Sequence, residues 1–471
     1  MKHPFRRAWV ACVAVAIASF AISAPALAQD SYYREVTVDG RIYVFSSEKA
    51  QKTWEGSKEL AVGTVTRPGY GPNGETVVFD GPAAVDAFNK KYGKTDPAPS
   101  SAPVVEYKLP FDVKYRMPGL RLTFPKFEMN WSNRMQLRYT YDDVDIAGPR
   151  DDRGSFRIRR FRSKWDGWIY TPNLTYELQV DWVGAGVTDV TVGSQSTNLQ
   201  DANLQYDFTN GKKAFMLKAG QFKAPFGRQE LTSSGNQQFV DRSIASVLFA
   251  PARQIGLQIG GQFGNAQVPD MITYAGGIFN GNGINRSLGE NDKHEYTGRV
   301  MFSPFGNVGY SESNLEHYDF RMSIGADYNN NNQVFFPATG DPTGIDVTSE
   351  WGADIAIKAA GGLFAYFEYY WRNFESPTGA KTPQTGFTGQ AGWLFGDHFE
   401  VAGRLSETNL NTDRDDRNIK EWKVGVSYYI NKHSWKIQGD YGGIENEALN
   451  GADGLPPRKN KEFRLQTQLI F

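Results

Sequence analysis

Cysteine is almost missing from this chain of 471 residues: its one copy, Cys12, lies near the N-terminus. A disulfide framework, a cysteine-ligated metal and, beyond the leader, a thiol nucleophile are thereby excluded. Histidine is also scarce. Beyond the leader there are His294, His317, His398 and His433, all in or beside expected connections. None sits in an H-E-x-x-H pair or beside a G-x-S-x-G elbow, so no catalytic centre, metal site or cofactor is expected. Charge of one sign is not in excess, with 51 Lys+Arg against 52 Asp+Glu. Removing the leader's Lys2, Arg6 and Arg7 takes the net charge from −1 to about −4, which is no nucleic-acid signature. After the leader no apolar run is long enough for a spanning helix. What is abundant is glycine (49 residues) and aromatics (14%), at a mean hydropathy of −0.50. Those features fit a soluble β protein or a transmembrane barrel.

The N-terminus reads as an export signal over residues 1–28: a basic start, an apolar stretch from Ala8 to Ile22, and Ala26-Leu27-Ala28 before the expected new terminus at Gln29. Residues 29–94 contain an internal repeat, in which Gly40-x-x-x-Val44-Phe45 recurs as Gly74-x-x-x-Val78-Phe79 and Trp54 corresponds to Phe88. Each copy predicts a strand followed by a short helix whose aromatic packs back on the strand. The first copy, DGRIYVFSS over residues 39–47, is similar to the small YHS domains. Serines stand where such domains often place cysteine, so a packing module is expected rather than a metal site. Residues 95–125 are read as a linker: a Pro/Ser/Ala stretch over 95–103, then a connector over 107–125 with three prolines.

From residue 126 to 471 the pattern changes to strict alternation. Phe127, Met129, Trp131, Met135, Leu137, Tyr139 and Tyr141 share one face, with Glu128, Asn130, Ser132, Arg134, Gln136, Arg138 and Thr140 on the other. The same alternation runs through 174–182 and 422–430. About sixteen such segments of about ten residues, with aromatics at both ends, predict an all-β fold: an antiparallel transmembrane barrel with a polar lumen. A small α+β periplasmic module precedes it. Connections alternate short (171–173, 209–211, 361–362, 396–398, 431–433) and long (144–154, 281–294, 329–350, 373–386, 408–420). One misfit is 304–317, a long connection on the short side. The chain ends Phe463-x-Leu465-x-Thr467-x-Leu469-x-Phe471, which resembles the assembly signal of outer-membrane barrels.

Two stretches carry a more specific likeness. FRIRRFRSKWDG over 156–167 and KAGQFKAPFGRQELTSS over 218–234 resemble the phosphate-selective porin O/P family, the first its second strand with an arginine pair, the second its fifth strand running into the loop that narrows the pore. The resemblance implies a sixteen-stranded trimer with an arginine-lined eyelet. It carries the arginine pair onto Arg159 and Arg160, and the loop hydroxyls onto Ser233 and Ser234, beside Arg228 and Thr232. Where phosphate-specific members have lysine, this chain has Glu230, which argues against a tight phosphate site.

From parity, Arg134, Arg138, Arg160, Arg162 and Lys164 should form a basic wall, while Glu177, Asp181, Asp201 and Asp207 form an acidic one. Arg159 has the wrong parity beside Arg160, so either a bulge re-aims it or it lies at the rim. The expected function is passive diffusion of small hydrophilic solutes across the bacterial outer membrane with a preference for anions, phosphate among them. A non-selective general porin and a structural or adhesin barrel are the alternatives. Expected partners are outer-membrane lipid, small anions, two further copies in a homotrimer, the barrel-assembly machinery, and a cell-wall or periplasmic partner for the module.

Overall fold

The computed structural model describes residues 32–58, 64–95, 112–115, 118–144, 152–183, 197–286, 292–335, 344–447 and 458–471. The expected export signal and most of the Pro/Ser/Ala stretch lie outside the described residues. The chain divides into two compact units, 1–107 and 108–471.

The first unit is a four-stranded sheet in the order β1-β2-β4-β3, built from β1 (Arg34–Val38), β2 (Arg41–Phe45), β3 (Val65–Arg67) and β4 (Thr76–Phe79), with helices α1 (Glu48–Ser57) and α2 (Pro82–Tyr92). The two repeats lie side by side: β2 pairs parallel with β4. Ser47 caps α1 by accepting from the Ala50 N–H at 3.2 Å, while Pro82 opens α2 and Gly93, at φ 61°, closes it. Trp54 packs on Phe45 with ring centroids 5.4 Å apart, and its counterpart Phe88 packs on Phe79 at 5.4 Å. Equivalent positions also bond to each other, since Ser46 donates its N–H and hydroxyl to the Asp80 carboxylate at 2.9 Å each. Ile42, Val44, Val77, Phe79, Ala84, Val85 and Phe88 form the core.

The second unit is a closed antiparallel barrel of sixteen strands. They are β7 (Phe127–Val144), β8 (Asp152–Ile169), β9 (Thr171–Asp181), β10 (Asn198–Asp207), β11 (Met216–Lys223), β12 (Arg253–Phe263), β13 (Ile272–Phe279) and β14 (Glu295–Phe302), then β15 (Phe320–Phe335), β16 (Gly344–Ala359), β17 (Leu363–Glu375), β18 (Lys381–Phe395), β19 (Phe399–Asn409), β20 (Asn418–Asn431), β21 (Trp435–Asn446) and β22 (Arg458–Ile470). Closure is by β22 on β7, from Asn460↔Val144 to Ile470↔Arg134. Part of the expected connector over 107–125 is itself structured. Strands β5 (Asp112–Tyr115) and β6 (Leu120–Phe124) form a hairpin, and β6 pairs with the start of β7, which β22 leaves uncovered.

Alternation does what the pattern demands. Along β20, Trp422, Val424, Val426 and Tyr428 are exposed, while Glu421, Lys423 and Ser427 are buried inside. So much exposed apolar surface is a liability in water and the required surface in a bilayer. Several strands are longer than expected, β7 and β8 having 18 residues each, while β11, β13 and β14 have 8. The hydrogen-bonded ladder continues past the apolar band, because pairing satisfies the backbone better than an open loop. Connections expected over 373–386 and 408–420 accordingly shrink to 376–380 and 410–417. At the short end, the first turn is the single residue Tyr170, at φ 61°, just before the expected 171–173.

Candidate pore constriction

The basic wall forms on β7 and β8. Gln136 pairs with Arg160 but Leu137 pairs with Ile158, so Arg159 is the extra residue of a β-bulge. The bulge removes the parity conflict, and both arginines reach one carboxylate, Asp241, at 3.6 Å from Arg159 and 3.4 Å from Arg160. Arg138 at 2.6 Å and Arg464 of β22 at 3.3 Å complete a ring of four guanidinium groups. Burial opposes ionisation of Asp241, but these four charges hold its pKa well below the usual carboxylate range.

Asp241 belongs to the connection 224–252 between β11 and β12, which folds into the lumen and carries the short helices α3 (Arg228–Leu231) and α4 (Ile244–Phe249). Ala245 and Phe249 of α4 are buried with Phe226 and Tyr370 of β17. Lys223 ties down the end of α3, donating to the carbonyls of Glu230, Leu231 (3.3 Å) and Thr232 (3.1 Å). Arg242 donates to the carbonyls of Gln229, Glu230 and Thr232 at 3.1, 3.1 and 2.9 Å. Gly235 lets the loop approach the wall closely: a Cβ there would lie 2.5 Å from an Arg134 guanidinium nitrogen, so that side chain would have to shift.

The residues singled out by sequence separate in space. Arg134 donates to the hydroxyls of Ser233 (3.0 Å) and Ser234 (3.2 Å), bringing wall and loop together as expected. Thr232 instead caps α3, its hydroxyl donating to the Arg228 carbonyl at 3.1 Å. Arg228 points away from the basic wall, with its N–H on the Glu368 carboxylate and its guanidinium 3.7 Å from Asp354. Glu230 is buried, and its carboxylate lies 3.0 Å from Arg242 and 3.9 Å from Lys223.

The expected acidic wall is a set of individual ion pairs: Glu177 with Lys164 at 3.3 Å, Asp181 with Arg162 at 2.7 Å and Asp201 with Arg253 at 2.8 Å. Asp207 requires a correction, because it sits at the β10–β11 turn and not in the eyelet. There its carboxylate accepts the N–H groups of Thr209 (2.8 Å), Gly211 (2.8 Å) and Lys213 (3.1 Å). An Asx-type turn explains the aspartate fully.

Beneath the loop, toward the short turns, lies a cavity of about 650 Å³. Nine basic side chains border it: Arg134, Arg160, Arg162, Lys164, Lys218, Lys223, Arg242, Arg253 and Arg299. Two acidic ones, Glu177 and Asp201, face them. A model of the family described as "Phosphate-selective porin O and P" matches residues 134–471. The chain belongs to that family. Among solved structures it is similar to the anion-selective porin from Comamonas acidovorans, at 12% identity and TM-score 0.50, over 73% of this chain and 99% of that one. It is likewise similar to the outer-membrane channel DcaP of Acinetobacter baumannii, at 12% identity and TM-score 0.50, over 74% and 98% of the two chains. No curated protein matches.

The protein is thus an outer-membrane channel, and in such barrels short turns face the periplasm and long loops the exterior. Sequence reasoning missed several of this porin's lumen groups. Lys218 shares the lumen-facing parity of its strand and was legible in principle. Lys223 and Arg253 stand at strand ends where the inward connection begins, and periodicity does not fix their direction. Arg464 alternates with the outward Phe463 and Leu465, and barrel closure sets it beside β7. Asp241 and Arg242 meet the wall only through the tertiary fold of the loop.

Proposed function

We propose that this porin conducts small hydrophilic anions by passive diffusion, without a tight phosphate site. One observation carries the reading: the cavity below the constriction has nine basic side chains against two acidic ones. In a narrow, low-dielectric passage such an imbalance focuses a positive potential that favours anion entry. Inorganic phosphate belongs to the permeant class, but the cations near Glu230 already hold its carboxylate and the backbone of α3. The test is the reversal potential of single channels across a salt gradient. A preference for chloride over potassium is expected, growing as salt is lowered, and a cation-selective or non-selective channel refutes it.

The same reading takes the working unit as a homotrimer in outer-membrane lipid, inserted by the barrel-assembly machinery through the terminal strand ending at Phe471. It places the module of residues 29–94 in the periplasm, where a cell-wall or periplasmic partner would meet it. Supporting this, the β5–β6 hairpin runs into β7 at the short-turn end, where Phe124 pairs with Phe127. A cysteine placed by Lys58→Cys should resist a pore-excluded, impermeant thiol reagent on intact cells and react once the outer membrane is opened. Rapid labelling of intact cells would place the module outside.

A further inference from the structure

The connection 303–319, between β14 and β15, stands at the short-turn end but does not stay at the rim. Val308 is buried against Ala356, Phe364 and Tyr366, residues of β16 and β17. Leu315 is buried against Leu394 of β18 and Tyr429 of β20. Asn314 anchors the segment by donating to the Ala359 carbonyl at 2.8 Å. Glu312 then joins it to the constriction loop. Its N–H donates to the Asn236 carbonyl at 2.9 Å, and its carboxylate accepts from the Gln238 N–H (2.7 Å), Gln390 (2.9 Å) and Gln229 (3.3 Å).

What lies behind this segment differs in charge from the open side. Among the buried charged residues of β14–β19, Glu295, Asp327, Glu350, Asp354, Glu368 and Glu400 outnumber Arg299, Lys358 and Arg404. Carboxylate oxygens of Asp327, Asp354 and Glu368 come within 4.8 Å of one another, and Arg299 bridges the first two at 2.6 and 2.7 Å. None of these six carboxylates borders the open cavity. Tyr310 stands at the boundary, accepting from Arg299 Nε at 3.1 Å, with its ring centroid 5.5 Å from the Arg228 guanidinium carbon. Arg299 lies on the same boundary, since it also borders the cavity. Among the described residues the lumen therefore has an open side that is mainly basic and a mainly acidic side occupied by α4 from one end and 303–319 from the other.

We propose that the inward connection 303–319 is a specificity-determining element, which closes the acidic half of the lumen so that permeating ions pass along the basic wall. The proposal rests on the anion-conducting reading above. In a lumen left wide, cations would have their own route along β14–β19, and a basic wall on the far side would exclude them poorly because salt screens it within about 8–10 Å. Filling that route turns a barrel of mixed charge into a passage lined mainly by positive charge.

Replacing residues 304–318 by a two-residue Asn-Gly turn tests this in planar bilayers, with heat-modifiable migration as the check of assembly. Conductance should rise on the order of twofold and the anion-to-cation permeability ratio should fall by about tenfold toward unity. The double variant Tyr310→Ala, Glu312→Ala keeps the segment's length and its backbone bond to Asn236 but removes its side-chain ties to the constriction loop, and should shift the ratio the same way by a smaller factor. A wild-type permeability ratio in the shortened variant overturns the proposal, and the double variant decides the matter in the same way if the shortened one does not assemble. A wild-type channel without anion preference overturns the parent reading and this one with it. A selective wild type with unchanged variants overturns the role of 303–319 alone.

Discussion

Asp241→Asn should loosen the constriction and strengthen anion preference in one step. The substitution preserves volume and removes the single negative charge shared by Arg138, Arg159, Arg160 and Arg464. Arg464 keeps Asp440 at 2.7 Å and Glu462 at 3.1 Å, but Arg138, Arg159 and Arg160 lose this carboxylate, and breaking a buried pair costs about 3–5 kcal/mol. The loop 224–252 retains its other ties through Lys223 and Arg242, so the barrel should assemble while the loop fluctuates. Single-channel records should show added open-state noise, the reversal potential should move further toward anions, and the temperature of heat-modification should fall. A quiet channel with wild-type selectivity would remove Asp241 from its place as the clamp. Its pH dependence has a fixed sign. A carboxylate whose folded pKa is depressed contributes stability that is present above the unfolded value near 3.9 and is lost as pH falls through the folded one. Because the four arginines hold Asp241 well below the usual range, the wild-type channel should keep its noise level and selectivity from pH 7 down to about pH 4.

The barrel was legible because alternation is a local property: the face of Trp422, Val424, Val426 and Tyr428 is written in every second residue, and the structure exposes that face. The bulge at Arg159 announced itself the same way, as a parity conflict between neighbouring arginines. The repeat in the N-terminal module was visible as recurring glycine, valine and phenylalanine, and its two copies pair side by side. What could not be read was where a connection goes once it leaves the strand. Asp241 and Arg464 are 223 positions apart and meet only because loop 224–252 crosses the lumen. The departure at Glu230 was visible, but Lys223 and Arg242 beside its carboxylate were not. Asp207 had the right charge near the right strand, yet a turn of backbone N–H groups explains it. The excess length of 304–317 was the one sequence sign of the inward segment, and nothing in its composition separates a rim excursion from a fold into the pore.

The double substitution of Arg160 and Arg162 by alanine should carry the permeability ratio toward cations, most strongly at low salt. Both side chains border the cavity, and they differ in what they leave behind. Without Arg162, Asp181 loses its partner at 2.7 Å and becomes a free negative charge in the wall. Without Arg160, Asp241 still has Arg138 at 2.6 Å and Arg464 at 3.3 Å, so the loop stays clamped. A unit charge about 8 Å from a passing ion is worth about 2 kcal/mol at an effective dielectric near 20. If screening halves that, each charge still changes the relative permeability about fivefold. Raising the ionic strength from about 0.01 to about 1 M shortens the screening length from about 30 to about 3 Å, so the difference from wild type should shrink across that range. Lysine at both positions keeps the charge and loses the planar fork, and it should retain most of the anion preference. A double alanine channel with the wild-type reversal potential at low salt would mean that the remaining basic groups around the cavity set the selectivity without this pair. Loss of preference in the lysine variant as well would shift the explanation from charge to guanidinium geometry.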